Sequence, residues 1–323
     1  MTELQKQEKI FNFNDVGQNG NEQNWRGRKL ANLKLADSYN KLNYKSSMIQ
    51  RVAECAEVLT FIQKDDGTLR LNQTWFCKNK LCPMCNWRRS LKYSYQATKI
   101  VDEAMKRNPK ARFIFLTLTI ENVPASELNK SLSELTKSFD RLFKRRKIQK
   151  NLIGFLRATE VTVEEKRNGY YHPHLHVLMM MKSNYFKIKG DYIKQQEWAK
   201  LWQESAQLLY TPIVDVKAVK AKDTEIFDKE SLKKAVLETA KYPTKPISFD
   251  DENLKIIDDL YQGLYRKRQI AYGGLFKQIA KELRFDDVEN GDLIVVDEET
   301  GEITNGTKLV AVWNWERKNY FLK

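Results

Sequence analysis

The stretch NLIGFLRATEVTVEEKRNGYYHPHLHVLMMM, residues 151–181, decides how this chain is read. ATEVTVEE alternates as a strand does, NGYY carries turn chemistry, and HPHLHVLMMM returns, so the stretch predicts a β-hairpin. The returning strand holds His172, His174 and His176, the three histidines of a 323-residue chain. Side chains two apart on a strand share a face and stand about 7 Å apart along it. Packing has little use for three imidazoles on one patch, whereas two of them suffice to share a metal ion. No glutamate follows within four residues, so the third ligand is expected from another strand. Glu160, between Thr159 and Val161 on the outgoing strand, is the candidate: a carboxylate withdrawn from water needs a partner, and a cation beside two imidazoles supplies one. Glu164 and Glu165 lie nearer the turn and are expected in solvent. Two histidines and a carboxylate suit Mn2+ or Mg2+ for phosphate chemistry, or Fe2+ for oxygen chemistry.

Upstream of the hairpin, ARFIFLTLTI sets Phe113, Phe115 and Thr117 against Ile114, Leu116 and Leu118, which predicts a buried strand over Arg112–Thr119. Leu128, Leu132, Leu135, Phe139 and Leu142 then recur at steps of three and four, one face of a helix that Ser126 can cap. The segment KSFDRLFKRRKIQK, residues 137–150, carries seven basic residues against one acid, and Lys144, Arg145, Arg146 and Lys147 are candidates for phosphate contact. Downstream, a helix carries Trp198, Leu201 and Trp202. Another, in DKESLKKAVLETAKYPTKP, is capped by Asp228 and ended by Pro243. It sets Glu238 and Tyr242 four residues apart on one face, with Lys241 and Lys245 beside them. Beyond Asp251 the pattern gives an amphipathic helix, a break at Gly273–Gly274, a second helix, and two strands in DLIVVDEETGEIT and KLVAVWNW.

Lys and Arg outnumber Asp and Glu by 56 to 42, a formal charge of +14 that favours an anionic partner, nucleic acid or an acidic membrane face. No apolar run approaches membrane-spanning length, and the polar N-terminus lacks a signal-peptide pattern, so a cytoplasmic protein with no membrane partner is expected. Residues 1–45, rich in Asn, Gln and Lys, read as a loose arm. The four cysteines, Cys77, Cys82 and Cys85 in FCKNKLCPMC with Cys55 upstream, suit a tetrahedral structural Zn2+ better than disulfides in a reducing compartment; unligated buried thiols are the other reading. Arg88 and Arg89, just after Cys85, extend this module toward DNA contact.

FLTLTI, ATEVT, HPHLHVL and ETAKYPTK, in that order, resemble the HUH endonucleases. Together with C-x4-CP-x-C and a single E-x3-Y, they resemble more narrowly the rolling-circle replication initiators of small Gram-positive plasmids, over about Arg51 to Leu283. The resemblance implies an α+β fold: an HUH-type antiparallel sheet with helices packed on it, plus an N-terminal four-cysteine zinc module. It implies an arm at 1–45, a zinc module at 46–95, an endonuclease core at 96–250 and accessory helices and strands at 251–323. It implies that His174, His176 and Glu160, joined by His172 in three-histidine relatives, hold a divalent ion, that Tyr242 attacks a DNA phosphate, and that Glu238 activates water at termination. The implied partners are single-stranded or hairpin origin DNA and a host helicase and DNA polymerase; a homodimer is compatible with the sequence, which does not fix the oligomeric state. A tyrosine with a free pKa of about 10 needs such a cation or a proton acceptor to become a nucleophile. A single-tyrosine HUH transposase shares this chemistry, and a non-catalytic zinc-dependent DNA-binding protein would share the cysteines. An Fe2+ oxygenase would leave Tyr242, the basic stretch and the cysteines without a use.

Overall fold

Residues 23–63, 65, 67, 69–164, 169–219, 229–239, 247–294 and 306–323 are described by the computed structural model of the chain. They fall into one unit drawn from Met1–Lys92, Ser248–Ile257 and Asp287–Lys323, and a second drawn from Tyr93–Ile247 and Asp258–Asp286.

In the first unit, helix α1 (Trp25–Lys41) starts where the Asn24 side chain accepts the Gly27 N–H at 2.8 Å. A helix therefore stands where residues 25–41 of the expected loose arm were placed, and residues 1–22 of that arm lie outside the described residues. The buried stripe of α1 runs Trp25, Lys29, Asn32, Ala36 and Tyr39, and its two polar members hide it from a hydrophobicity reading. Both have work at the end of helix α2 (Ser46–Ala53). A helix C-terminus leaves carbonyls unpaired; here Asn32 Nδ2 donates to Val52 O, and Lys29 Nζ donates to Ala53 O at 2.6 Å and to Cys55 O at 2.9 Å. Strands β1 (Val58–Gln63) and β2 (Leu69–Gln73) pair antiparallel, and Pro83–Lys92 opens helix α3 (Pro83–Arg107).

The second unit is built on the hairpin. Strand β3 (Arg112–Thr119) has the bounds its alternation predicts, followed by the short β4 (Val123–Pro124) and helix α4 (Ala125–Phe143). All five apolar positions of the predicted helical face are buried, but Pro124 occupies the N-cap, so Ser126 lies within the first turn and caps nothing. Strands β5 (Leu152–Val163) and β6 (Tyr170–Met181) form the hairpin, with Glu160 opposite His174 and Ala158 opposite His176. Helix α5 (Gln195–Ala206) buries Trp198 and Trp202; strand β7 (Val214–Ala218) and helix α6 (Lys229–Thr239) follow, then helix α7 (Leu254–Gly263), which belongs to this unit only from Asp258 onward. Asp228 and Pro243, expected to bound α6, lie outside the described residues.

The expected break at Gly273–Gly274 is instead the end of a strand, β8 (Ile270–Gly274), which pairs with β5 and leads into helix α8 (Leu275–Glu282). Gly274 turns the chain at φ +57, and a Cβ there would stand 2.5 Å from Ile153 O, so glycine is required by space and by backbone conformation. The sheet runs β7-β3-β6-β5-β8, with β4 also on β6. Its central strand changes character along its length: Val177 to Met181 are fully buried on both faces, whereas His172 and His176 are only half-buried. Phe155 on β5 packs against Phe139 and Phe143 of α4 at centroid separations of 5.1 and 4.8 Å.

The chain ends in the first unit. Strand β9 (Thr307–Asn314) pairs antiparallel with β1, Val58 opposite Val312, and β10 (Asn319–Leu322) pairs with β9, giving the order β10-β9-β1-β2. KLVAVWNW is thus a strand as read. Of DLIVVDEETGEIT, Asp292–Ile294 carry no strand and the remainder lies outside the described residues. The accessory segment expected at 251–323 is divided, β8 and α8 entering one unit and β9 and β10 the other. Among the described residues no helix is long and apolar enough to cross a membrane.

Phe139 is 1% exposed and stacks on Phe143 at 4.0 Å. Phe139→Ala is expected to cost about 3–5 kcal/mol through lost transfer energy and a residual cavity, read as a lowered urea midpoint for the second unit.

Candidate metal centres and catalytic site

Strand pairing alone brings His174 and Glu160 together, and the small Ala158 opposite His176 leaves Glu160 room to reach diagonally to the second ring. Glu160 Oε2 lies 3.5 Å from His174 Nε2 and 3.1 Å from His176 Nε2. One ligand atom from each of the three residues falls within 4.8 Å of the others, the separation expected of groups that can share one cation. The other ring nitrogens are tied down: His174 Nδ1 donates to His172 O at 3.2 Å, and His176 Nδ1 pairs with Thr117 Oγ1 at 3.2 Å. The first contact engages the His174 Nδ1–H, so Nε2 is the nitrogen turned toward Glu160 and toward an ion that would share the site. Burial pushes the Glu160 carboxyl up, but hydrogen bonds and charge from His174 and His176 outweigh it and hold it at about 2. The carboxylate is therefore an anion throughout the ordinary pH range. Side-chain exposures of 11% for His174, 23% for Glu160 and 22% for His176 leave the cluster open on one side.

His172 shares the face but not the cluster. Its ring centroid lies 5.3 Å from that of His174, and its Nδ1 pairs with Asn122 Oδ1 at 2.8 Å. The Asn122 amide in turn donates to Glu164 Oε2 at 2.6 Å, so Glu164 has a definite partner rather than only solvent. Thr117 and Asn122 are the supporting residues that sequence reasoning missed; Thr117 was legible only as one side of a strand alternation. Tyr171, a rival nucleophile by position, is fully buried and donates to Asp259 Oδ2 at 2.7 Å, and burial with that carboxylate raises its phenol far above the usual range. Helix α6 packs on β5 and β6, the strands that carry the cluster, with Glu238 exposed on its last turn. Tyr242, Lys241 and Lys245 lie outside the described residues.

In the first unit Cys55, Cys77, Cys82 and Cys85 are all buried and form one cluster. Cys55 Sγ lies 3.6 Å from Cys85 Sγ and 3.7 Å from Cys82 Sγ, and Cys77 Sγ lies 3.6 Å from Cys85 Sγ. A disulfide needs about 2.05 Å, whereas a zinc tetrahedron with bonds of about 2.3 Å has sulfur–sulfur edges of about 3.8 Å. The donors therefore fit Zn2+. Backbone N–H groups of Cys77, Lys78 and Cys85 donate to the sulfurs of Cys55, Cys85 and Cys82. Burial pushes the thiols of Cys55 and Cys82 up; Cys85, equally buried, is drawn down by its hydrogen bonds to the other three and by the Arg89 charge. Lys29, fully buried, supplies a second cation: burial brings its amine down to about 8, opposed by the charges of Cys55, Glu57, Cys82 and Cys77.

The basic candidates divide. Arg88 and Arg89, read as DNA contacts, are buried at 5% and 2% exposure, and this corrects that reading. Arg88 Nε donates to Leu293 O at 2.9 Å and Arg89 Nη1 to Asn79 O at 3.1 Å, so their guanidinium groups satisfy carbonyls around the cysteine cluster. Arg145 is paired with Glu204 at 2.8 Å and Lys147 with Glu197, while Lys144 and Arg146 are exposed.

A protein-family model described as "Replication protein" matches residues 68–321. A "Protein rep" of Streptococcus pneumoniae serotype 2 (strain D39 / NCTC 7466) is 55% identical over 324 residues, 100% of this chain and 98% of that protein. One from Lentilactobacillus hilgardii is 45% identical over 313 residues, covering 95% and 98%. A "Replication protein" of Staphylococcus aureus is 46% identical over 238 residues, 72% of this chain and all of its own length. No solved structure matches the chain significantly.

Replacing Lys29 with Met removes a charge beside the thiolates, and zinc affinity measured by chelator competition is expected to fall about tenfold or more. Thr117→Val is expected to weaken Mn2+ binding by about 10–100-fold in calorimetry, with Thr117→Ser close to the original, because only the hydroxyl orients His176.

Proposed function

This chain belongs to the Rep family of Gram-positive plasmid replication proteins, and on that footing we propose that it starts rolling-circle replication by nicking one strand of the origin through a tyrosine. The observation that carries this reading is the Glu160–His174–His176 cluster, open to solvent and built on paired strands. Those residues would hold Mn2+ or Mg2+. Such an ion, when bound, polarises the scissile phosphate and offsets the charge that develops on it. Tyr242, three residues after the end of α6, is the nucleophile. Its oxygen bonds to phosphorus, the bond from phosphorus to the 3′-oxygen breaks, and that oxygen takes up a proton. The products are a 5′-phosphotyrosyl link and a 3′-OH that a host polymerase extends, with a host helicase opening the duplex ahead. At termination, Glu238 takes a proton from water, whose oxygen makes the second cleavage at the regenerated origin and frees a 3′-OH; that hydroxyl displaces Tyr242 from its phosphorus, the tyrosine oxygen taking up a proton, so that the strand is rejoined and the enzyme released. The substrate is origin DNA, single-stranded or extruded as a hairpin, because in-line attack needs an accessible phosphate. Zn2+ on the four cysteines is structural. The family match favours replication over transposon joining among proteins with this chemistry.

Incubation with labelled single-stranded origin DNA and Mn2+ should give a covalent adduct that mass spectrometry maps to Tyr242, and Tyr242→Phe should form none. An adduct persisting in that variant would move the nucleophile elsewhere. Binding without cleavage on the cognate origin would leave a non-catalytic DNA-binding protein.

A further inference from the structure

Just past the end of β6 the chain gathers aromatic rings that nicking leaves unused. Residues 182–194, KSNYFKIKGDYIK, hold Tyr185, Phe186, Ile188 and Tyr192. Tyr185 is 1% exposed and anchors the turn: its hydroxyl accepts the Ile193 N–H at 3.3 Å, and its ring meets those of Phe186 at 4.9 Å and Tyr192 at 5.4 Å. Phe186 and Tyr192 also meet each other, with centroids 6.3 Å apart, yet they stay 37% and 48% exposed, beside Ile188 at 46%. The two outer rings therefore form one contiguous surface. The backbone under them is tied down. The Ile188 N–H donates to Asn184 O at 2.9 Å and the Asp191 N–H to Ile188 O at 3.1 Å, while the Asp191 carboxylate accepts from Lys150 Nζ at 2.6 Å and from Asn151 Nδ2 at 3.1 Å. Apolar rings held out to water on a pinned turn mark a surface for a partner.

The surrounding charge selects that partner. Lys182 Nζ donates to the Lys150 carbonyl at 3.0 Å, which sets the basic run alongside the rings. Segments 144–151 and 182–197 together carry nine basic residues against two acids. Both acids are engaged, Asp191 by Lys150 and Glu197 by Lys147, and Glu204 takes Arg145. Lys144, Arg146, Lys182, Lys187, Lys189 and Lys194 remain, all exposed and without an ion-pair partner among the described residues. Only one helical turn, Asn184–Lys187, underlies the rings, whereas docking to a lipid surface calls for the long apolar face of an amphipathic helix. Rings in contact among free cations suit unpaired nucleotides: every base offers a π face to stack, and the phosphates between bases need positive charge.

We propose that Phe186 and Tyr192 form a stacking platform for unpaired nucleotides of the origin, with Lys187, Lys189 and Lys194 meeting the phosphates. The proposal rests on the DNA-processing reading but concerns a surface apart from the histidine cluster. Lys182 follows Met181 at the end of β6, six residues past His176, which is roughly 20 Å along the strand. Nucleotides on the platform therefore flank the scissile phosphate by several steps and are held without being cleaved.

Stacking and charge are separable in one titration. The full zinc-loaded chain is titrated into fluorescein-labelled oligo-dT, and into a labelled duplex of equal length, and anisotropy is followed without Mn2+ or Mg2+, so the result stands apart from cleavage whatever the adduct test gives. Phe186→Ala with Tyr192→Ala should lower oligo-dT affinity at least about tenfold, leave duplex affinity nearly unchanged and leave the salt dependence as it was. Phe186→Tyr with Tyr192→Phe should keep most of the affinity. Lys187→Gln, Lys189→Gln and Lys194→Gln together should reduce the slope of log affinity against log salt by about two, at about 0.7 per phosphate contact. Should the alanine pair lower the urea midpoint of the second unit, the exchanged aromatic pair and the lysine variant decide the question. Unchanged oligo-dT affinity in a folded alanine pair, an equal loss on duplex, or an unchanged salt slope in the lysine variant would overturn the assignment. So would sedimentation with phosphatidylglycerol vesicles that the alanine pair abolishes and oligo-dT does not compete for, which would give the rings to a membrane surface.

Discussion

The antiparallel register of β5 on β6 is the constraint from which the candidate site follows. With Glu160 opposite His174, every second residue of both strands falls on the cluster's face, and the intervening residues pack against α4. A slip of one residue would send the carboxylate into the helix-covered side and leave the imidazoles without an anion. The slip is opposed at the other end of the hairpin: Val177 to Met181 are buried on both faces, and Phe155 packs edge-on against both Phe139 and Phe143. Apolar packing at one end of the sheet thus sets, to within a side chain, where a polar cluster forms at the other. Exposure and rigidity, which seldom coexist, are supplied by different halves of one hairpin.

How much was legible in the sequence follows from the same division. The hairpin, β3 and the buried face of α4 obey simple periodicities, and the three histidines and four cysteines were identified by spacing alone. What escaped was held together by polar side chains that serve backbone groups. The stripe of α1 is interrupted by Lys29 and Asn32, whose function is to pair the last carbonyls of α2. Strand β8 looked like a break because two glycines end it, and those glycines are needed where the chain approaches β5. Thr117 and Asn122 could not be chosen from many similar residues until the fold set them beside His176 and His172.

The charge excess likewise needed coordinates to be apportioned. A run of seven basic residues within fourteen invites the idea of a phosphate-binding ridge, yet Arg145 and Lys147 face Glu204 and Glu197 on α5. Exposed pairs of this kind contribute little stability, about 0–1 kcal/mol each, but they lower the field that the run presents to an anion. Other cations are taken inward. Lys29 and Arg89 lie in the electrostatic surroundings of four clustered thiols, and a tetrathiolate bearing Zn2+ would carry a double negative charge that two cations balance. Basic composition therefore serves two purposes, and sequence counts alone do not separate them.

The pairing of β9 with β1 joins residues roughly 250 positions apart, and it imposes an order on biosynthesis. Chains emerge from the ribosome N-terminus first, and long-range strand pairing must wait for its partner. The strands and helices of the second unit are all synthesised by residue 286, whereas β1, though made early, finds its neighbour only after residue 307 has emerged. The portion of the chain translated first is thus among the last to be completed. Until then the edge of β1 that β9 will cover is unpaired, and a polypeptide stopped short of residue 307 would keep every residue of the histidine cluster while its four cysteines lacked the finished sheet beside them.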